Sequence, residues 1–277
     1  MADRNFPTGN LMKGKRGLVM GVANKNSIAW AIAQQLHAQG AELAFTFQGE
    51  ALERRVRPLA ESVGSEIIVP CDVTDDASMD ACFAAVKEKW GKIDFLVHSI
   101  AFAGKEQLEG SFVDNTTRDG FLSAMNISAY SFVDAARRAS QIMSEGGSMI
   151  TMTYLGSERV IPNYNVMGVA KAALEASTRY IAADLGPRGI RVNAISAGPI
   201  KTLAAAGIGS GRHMFRFNKA TAAMQDNTDL EGVAGAALYL LSSLGTSCTG
   251  ETHHVDGGFH AIGMPQEKAL KESLGIE

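Results

Sequence analysis

Short apolar runs alternate along the chain with longer segments whose apolar residues recur at helical spacing. Residues 18–20 (LVM) and 95–97 (FLV) are apolar at every position, so both faces of these strands are expected to be buried. Such strands are typical of a parallel sheet that is covered by helices on both sides. The pattern therefore predicts an α/β fold with a parallel sheet between two helical layers.

Seven strands and six helices are predicted from this pattern. Because they alternate, we expect right-handed crossovers and an open, doubly wound sheet of the Rossmann type. No repeat or linker divides the chain, so one domain is expected over 1–277, ending in a polar tail at about 264–277. The predicted strands are 17–23, 41–47, 66–70, 94–98, 148–154, 190–195 and 251–255, and the helices are 27–39, 50–62, 77–90, 117–143, 163–185 and 230–242.

The composition narrows the range of functions. The formal net charge is -3 at pH 7, whereas nucleic-acid binding relies on an excess of Lys and Arg, so no nucleic-acid partner is expected. Three cysteines without Cys-x-x-Cys spacing argue against disulfides or zinc and favour a reducing compartment. The N-terminus lacks the apolar core of a signal peptide, and no apolar run approaches the ~20 residues that span a bilayer. We expect a cytoplasmic protein that binds neither a membrane nor a metal.

The turn after the first strand is a candidate phosphate site. In a doubly wound sheet this turn meets the pyrophosphate of a dinucleotide, and free N–H groups at the helix start favour anions. The turn contains Gly21 as its only glycine, so it departs from the Gly-x-Gly-x-x-Gly fingerprint. Ser27 is placed to cap the helix and to donate to a phosphate. A dinucleotide-binding turn and an ordinary capped helix start are both open interpretations.

The next two strand ends bear on the choice of nucleotide. Gln48 follows the second strand, where an acidic residue would bind the ribose 2′-hydroxyl and an arginine would favour a 2′-phosphate. A neutral amide at this position favours NADH over NADPH. Asp72 and Val73 follow the third strand, where the carboxylate can accept from the adenine amino group and Val73 can pack on the ring. The alternative role of Asp72 is to cap the next helix.

The strongest local pattern is the pair Tyr164 and Lys171 in the segment YNVMGVAK. Their separation of 7 residues is two helical turns, which places both side chains on one helix face. An ammonium group near a phenol favours the phenolate and can hold sugar hydroxyls, and the tyrosine can donate to an oxygen that gains charge. Tyr154 ends the fifth strand, at the edge where open α/β sheets bind ligands. The alternative is a half-buried tyrosine, a surface lysine and a rim aromatic.

The histidines form no evident metal site. His98 ends a strand and is expected to be a hydrogen-bonded packing residue. His253 and His254 are adjacent in a predicted strand, so their side chains point to opposite faces. The apolar face of the predicted helix at 230–241, together with Gly257 and Gly258, is a candidate subunit interface.

Taken together, these segments resemble the short-chain dehydrogenase/reductase superfamily and, more narrowly, the bacterial NADH-dependent enoyl-[acyl-carrier-protein] reductases of type II fatty-acid synthesis. The similarity extends over about 14–261. Ketone-reducing relatives have the tyrosine and lysine one helical turn apart, so the two-turn spacing together with Tyr154 indicates the enoyl reductases. The matching segments are 21–23 (GVA), 27–29 (SIA), 41–48 (AELAFTFQ), 71–73 (CDV), 98–103 (HSIAFA), 154–156 (YLG), 161–168 (IPNYNVMG), Lys171, 191–200 (RVNAISAGPI) and 254–258 (HVDGG).

The resemblance implies a role for each matching residue. The cofactor would be NADH, the substrate a trans-2-enoyl thioester carried by acyl carrier protein, and the assembly a homotetramer. Tyr154, Tyr164 and Lys171 would be catalytic, and Ala103 would contact the substrate together with the two tyrosines. The cofactor contacts would be Gly21, Ser27, Ile28, Gln48, Asp72, Val73, Ile100, Lys171, Ile200, Thr202 and Ala204.

The implied mechanism starts with hydride transfer from the nicotinamide to the β-carbon of the enoyl thioester. Tyr164 would donate to the enolate oxygen that develops, and the α-carbon proton would come from Tyr164 or from water. Residues 198–217 would form a substrate lid with glycine hinges at 207, 209 and 211. Its basic edge either meets the acidic carrier protein or is simply solvated; that edge is Arg212, His213, Arg216 and Lys219.

Two other functions remain open from the sequence. A carbonyl reductase or alcohol dehydrogenase of the same superfamily would act on ketones or alcohols rather than on enoyl thioesters. A dinucleotide-binding regulator without catalysis would share the fold, because a fold does not determine a function. The combination of Tyr154, Tyr164 and Lys171 argues against the regulator, since a sensor needs no proton-donating phenol.

Overall fold

The computed structural model describes residues 6–202 and 211–274, and its centre is a seven-stranded sheet. The strand order is β3-β2-β1-β4-β5-β6-β7, and every neighbouring pair is parallel. The order reverses between β1 and β4, which is the point where open α/β sheets bind nucleotides. The strands are β1 Arg16–Met20, β2 Glu42–Phe47, β3 Ile67–Pro70, β4 Phe95–His98, β5 Gly147–Thr153, β6 Ile190–Ala197 and β7 Thr252–Val255.

Helices cover both faces of the sheet. Among the described residues, no helix is both long and apolar enough to cross a membrane. The helices are α1 Ile28–Ala38, α2 Gly49–Ser62, α3 Asp76–Trp90, α4 Phe112–Asn115, α5 Arg118–Met125, α6 Ser131–Gln141, α7 Asn165–Leu185, α8 Gly211–Thr221, α9 Leu230–Leu241 and α10 Glu267–Leu274.

Two apolar cores lie on opposite faces of the sheet. Successive side chains of β1 lie alternately in one core and in the other, because neighbouring side chains of a strand point to opposite faces of the sheet. Val19 packs in the core beneath α1, α2 and α9. Leu18 and Met20 pack in the core beneath α3, α6 and α7. The doubly wound α/β fold with seven parallel strands is thus confirmed.

The predicted single helix at 117–143 is interrupted. A π-helical turn, Asn126–Tyr130, joins α5 to α6. The hydroxyl of Ser131 donates to the carbonyl of Ile127 at 2.6 Å. The hydroxyl of Ser128 lies 2.9 Å from the N–H and 3.1 Å from the carbonyl of Phe102, and so fastens the segment after β4 to this turn. Such π-turns are frequent at functional sites.

One further expectation is corrected near the C-terminus. The expected polar tail contains α10, which packs against α8 and buries Ala269. On α9, Val233, Ala237 and Leu240 pack in the core of the same chain, whereas Tyr239 is exposed. A subunit interface at α9 stays a prediction.

Candidate active site

Gly21 lies immediately after β1, at the switch in strand order. Its φ is +101°, a conformation that L side chains rarely adopt. A Cβ placed there would lie 2.1 Å from the carbonyl oxygen of Ser99, which follows β4. A glycine is therefore required for the two strand ends to approach each other.

Replacing Gly21 with alanine is expected to lower the free energy of unfolding by about 3 kcal/mol, from the positive φ and the clash with backbone together. Gly64 provides a matched control, because its φ is +70° but its Cβ would meet nothing within 4 Å. The Gly64→Ala change should cost about 1 kcal/mol. Urea unfolding of both variants measures the difference. Equal decreases in the free energy of unfolding would show that the backbone at Ser99 can move away from the new methyl group without cost.

Ser27 occupies the N-cap position of α1 but does not cap it. Its hydroxyl oxygen accepts from the N–H groups of Ala23 and Asn24, each at 3.0 Å, and so folds the preceding turn. Among the described residues, no side chain caps α1, whose first residue is Ile28. The capping role expected for Ser27 is therefore wrong. A helix N-terminus without a side-chain cap favours a phosphate group.

Gln48 and Asp72 meet across the ends of β2 and β3. The amide of Gln48 donates to Asp72 Oδ2 at 3.0 Å. Asp72 Oδ1 accepts from the backbone N–H and the hydroxyl of Thr74 at 2.9 and 2.7 Å, and these bonds, with that from Gln48, lower the pKa of Asp72. The cap of α3 is Asp75, which accepts from the N–H of Ala77. The alternative role of Asp72 as a helix cap is therefore wrong.

The other predicted cofactor and substrate residues follow the remaining strands. Val73 and Ile100 pack at the edge of the core beneath α3 and α6. Ala103 packs on a small apolar cluster that includes Tyr164. Ile200 is buried after β6, and its carbonyl accepts from the N–H of Thr202 at 2.8 Å. Ala204, like the rest of 203–210, lies outside the described residues.

Tyr154 and Tyr164 form the wall of the site. Their ring centroids are 5.1 Å apart and the rings are nearly perpendicular, at 81°. This edge-to-face contact is favourable between aromatic rings. The hydroxyl of Tyr154 also lies 3.3 Å from Met214 Sδ, on α8. The two tyrosines that the sequence singled out are thus brought together, with α8 across from them.

Burial dominates the ionisation of the two tyrosines. Burial, reinforced by the charges of Tyr154 and Glu175, raises the pKa of Tyr164, so this phenol keeps its proton. Burial also raises the pKa of Tyr154 to about 12. Desolvation of the phenol thus outweighs the tendency of a neighbouring ammonium group to favour the phenolate. A buried neutral phenol is a hydrogen-bond donor, which is the role predicted for Tyr164.

Lys171 is buried, with 5% of its surface exposed. Its Nζ donates to the carbonyl oxygen of Met152, in β5, at 2.7 Å. Burial lowers the pKa of Lys171 to about 8, while the charge of Glu175 opposes this decrease. The ammonium form is therefore favoured below about pH 8. The alternative of a surface lysine is wrong.

Two glycines bring the Tyr154 segment directly onto α7. A Cβ on Gly156 would lie 2.3 Å from the ring of Tyr164, and a Cβ on Gly168 would lie 2.6 Å from the carbonyl oxygen of Gly156. Neither position has room for a side chain. The segment and the helix therefore pack backbone against backbone, which determines where both tyrosines lie.

Sequence reasoning missed two residues of this site. Asp256 is a buried carboxylate whose charge raises the pKa of Tyr154, and Glu175 is buried on α7. Glu175 follows Lys171 by one helical turn, and that spacing is the only signal that the sequence offers for it. The contacts of Asp256 are long-range and have no local signature.

The histidines take the structural places expected of them. His98 is fully buried, and its ring nitrogens lie 3.0 Å from Thr151 Oγ1 and 2.9 Å from Ser131 Oγ. Burial lowers its pKa to about 3, so this residue is neutral. In the part of the chain that the structure describes, no group of His, Cys, Asp and Glu is arranged to hold a metal ion.

Comparison with known proteins agrees with this geometry. The profile of the enoyl-(acyl carrier protein) reductase family matches residues 21–260. The enoyl-[acyl-carrier-protein] reductase [NADH] 2 of Rhizobium meliloti (strain 1021) is 59% identical over 261 residues, which are 94% of this chain and 97% of that protein.

Two solved structures share the fold. The enoyl-(acyl-carrier-protein) reductase of Anaplasma phagocytophilum, in complex with NAD, is 52% identical with a TM-score of 0.91 and covers 95% of this chain and 100% of its own. The Bacillus cereus enoyl-acyl carrier protein reductase, with NADP+ and indole naphthyridinone, is 52% identical with a TM-score of 0.90 and covers 92% and 100%. The chain belongs to the enoyl-(acyl carrier protein) reductase family.

Proposed function

We propose that the protein catalyses the NADH-dependent reduction of the trans-2 double bond of an enoyl thioester carried by acyl carrier protein. The observation that carries this proposal is the pair of protonated tyrosines at the carboxyl edge of the sheet, with Tyr164 buried at the N-cap of α7 and Lys171 buried within that helix. The relative from Rhizobium meliloti is named for that activity, and its similarity to this chain extends over nearly the whole length of both proteins.

The residues at the strand ends fit a bound NADH. The uncapped N-terminus of α1, next to Gly21 and Ser27, fits the pyrophosphate. Gln48 and Asp72 fit the adenosine, and the carboxylate of Asp72 disfavours a 2′-phosphate nearby. We therefore place NADH ahead of NADPH, although the Bacillus cereus relative was solved with NADP+. Ile100, Ile200 and Thr202 follow β4 and β6, at the nicotinamide end.

When bound, NADH supplies the hydride that adds to the β-carbon of the substrate. As the double bond is reduced, negative charge develops on the thioester oxygen. Tyr164 donates its phenolic proton in a hydrogen bond to that oxygen, which stabilises the transition state more than the ground state. Its raised pKa suits this role, because the phenol remains a donor at neutral pH. Tyr154 packs on the ring of Tyr164 and forms the other half of the wall of the site.

Lys171 holds the nicotinamide ribose and keeps positive charge near the developing anion. The carbonyl of Met152 accepts one of its three N–H groups and so aims the side chain. The remaining donors are suited to ribose hydroxyls.

We further propose that α8 and the residues before it cover the acyl chain. Met214 on α8 already contacts the hydroxyl of Tyr154. Ala103, on the opposite side, packs with the apolar cluster around Tyr164. Ordering of 198–217 on ligand binding stays a prediction, and the hinge glycines at 207 and 209 lie outside the described residues.

The exposed edge of α8 is proposed to meet the acidic carrier protein. Arg216 and Lys219 are exposed there, and Lys219 pairs with Asp226 at 3.3 Å. Replacing Arg216 with glutamate should raise KM for the carrier-linked substrate about tenfold, since rim charges govern encounter. The same variant should keep its KM for a crotonyl-pantetheine thioester, which lacks the carrier. Equal changes with both substrates would argue against docking at this edge.

A homotetramer in the cytoplasm is also proposed. Tyr180, on α7, is 77% exposed, and Val169 on the same helix and Tyr130 in the π-helical turn are also exposed, so this side of the molecule has apolar area to bury against another copy. The three cysteines are free thiols, which suits a reducing compartment. Light scattering coupled to size exclusion measures the assembly, and a monomeric mass at micromolar concentration would contradict it.

The experiment that tests the activity is NADH oxidation, followed by absorbance, with crotonyl- and dodecenoyl-thioesters. Parallel assays use NADPH and an acetoacetyl-thioester. We expect oxidation with the enoyl substrates and preference for NADH. Oxidation with the ketoacyl substrate alone would establish a carbonyl reductase instead. Binding of NADH without turnover on enoyl, keto or hydroxyl substrates would favour a regulator.

A further inference from the structure

Glu175 is a buried carboxylate within the candidate active site. It lies on α7 and is only 7% exposed. Its Oε1 accepts from the hydroxyl of Thr153 at 2.6 Å and from the hydroxyl of Ser157 at 2.5 Å. Burying a carboxylate is costly unless donors compensate it, so two short hydrogen bonds to one oxygen indicate a specific role.

The two donors to Glu175 flank Tyr154 in the sequence. Thr153 is the last residue of β5, and Ser157 ends the single 3-10 turn that follows Tyr154. The hydroxyl of Ser157 also lies 3.0 Å from the carbonyl oxygen of Tyr154. Both ends of the segment that carries this tyrosine are therefore tied to one oxygen atom on α7.

The same carboxylate acts on the charged groups of the site. Glu175 follows Lys171 by one helical turn, and its charge raises the pKa of Lys171 against the effect of burial. It also contributes to the raised pKa of Tyr164. The other titratable groups that face these side chains are Tyr154, the neutral His98 and Asp256. Glu175 is thus the anion that favours the protonated state of both residues.

We propose that Glu175 is a positioning residue of the reductase, which anchors the Tyr154 segment to α7 through Thr153 and Ser157 and keeps Lys171 in its ammonium form. This inference rests on the proposed function, because Tyr154 and Lys171 matter only if the site reduces a substrate. Glu175 acts through these neighbours and is given no contact with the substrate.

The Glu175→Gln variant tests both parts of the role. Glutamine keeps the shape and one oxygen acceptor but removes the charge. We expect kcat to fall about tenfold, because two charge-assisted hydrogen bonds become neutral ones. The alkaline limb of the kcat/KM profile for NADH should move to lower pH, because loss of the anion lowers the pKa of Lys171, and this profile reports the free enzyme. An effect on folding alone would lower Tm and leave the profile in place.

The double variant Thr153→Val, Ser157→Ala is the matched control. It removes both donors and keeps the charge of Glu175. We expect kcat to fall by a similar factor while the alkaline limb stays at the wild-type pH. The contrast between the two variants separates anchoring from electrostatics. A shift of the limb in the double variant equal to that in Glu175→Gln would overturn the electrostatic part.

If Glu175→Gln does not fold, Glu175→Asp decides the question, since it keeps the charge but withdraws it by one methylene. A lowered kcat with a wild-type alkaline limb supports the proposal. A wild-type kcat in either variant overturns it. These outcomes are distinct from failure of the proposed function, in which the wild-type protein itself would not reduce an enoyl thioester.

Discussion

The Tyr164→Phe enzyme is expected to lose about 10²–10³-fold in kcat, the usual effect of removing one donor to a developing oxyanion. Its Kd for NADH should change less than about twofold, because the role assigned to this phenol is confined to the substrate oxygen. Steady-state assays with a crotonyl-thioester give kcat, and NADH fluorescence gives the Kd.

The control for this variant is Tyr154→Phe. Both changes delete a single hydroxyl, and both leave the edge-to-face ring contact in place. Because the hydroxyl of Tyr154 lies against Met214 and Tyr154 is less buried than Tyr164, we expect the smaller loss in kcat at Tyr154. Loss of NADH binding in Tyr164→Phe, or the larger kcat effect at Tyr154, would contradict the assigned roles.

Replacing Lys171 with methionine is expected to weaken NADH binding about 10- to 100-fold, which corresponds to loss of hydrogen bonds from a charged donor. In the wild-type protein, the same affinity should decrease as the pH rises through about 8, where the ammonium form of Lys171 is lost. The affinity of Lys171→Met should not respond to pH in this range. Fluorescence titrations from pH 6 to about 9.5 measure both effects.

The thermal stability of Lys171→Met shows whether its weaker NADH binding is caused by unfolding. Lys171 is buried and its pKa is lowered, so the charged form opposes folding, and its cost is fully present below about pH 8. Methionine has a similar volume and no charge, so Tm of Lys171→Met should equal or exceed that of the wild type. A large decrease in Tm would show that the bond to the Met152 carbonyl is structural.

The sheet and most of the candidate site were predictable because their signals are local. Apolar runs located all seven strands, and a parallel sheet places the ends of those strands at one edge. Gly21, Gln48, Asp72 and Ile100 were therefore expected near one another, and they follow four neighbouring strands. The two-turn spacing of the tyrosine and lysine was sufficient to place Tyr164 at the start of α7 and Lys171 within it, and the family it indicated is confirmed.

What the sequence did not reveal depends on tertiary contacts. Ser27 reads as a helix cap, but its hydroxyl accepts from the preceding turn instead. The π-turn at Asn126–Tyr130 contains no glycine or proline that would predict it from the sequence. It is the segment in which Ser128 forms its hydrogen bonds with Phe102. In the sequence, Glu175 resembles any other charged residue of a helix. Only the hydrogen bonds from Thr153 and Ser157 distinguish it. The phenol of Tyr164 keeps its proton because burial dominates its ionisation, and burial is not a local property.

The backbone contact between Gly156 and α7 makes one side of the substrate pocket a fixed wall. Neither Gly156 nor Gly168 can accept even a methyl group without displacing Tyr164 or the chain behind it. The width of the pocket can therefore change more readily from the side of Met214, where a flexible thioether faces the tyrosines. Selection for longer or bulkier acyl chains, or for resistance to compounds that occupy this pocket, is expected to act on α8 and to leave the tyrosine wall untouched.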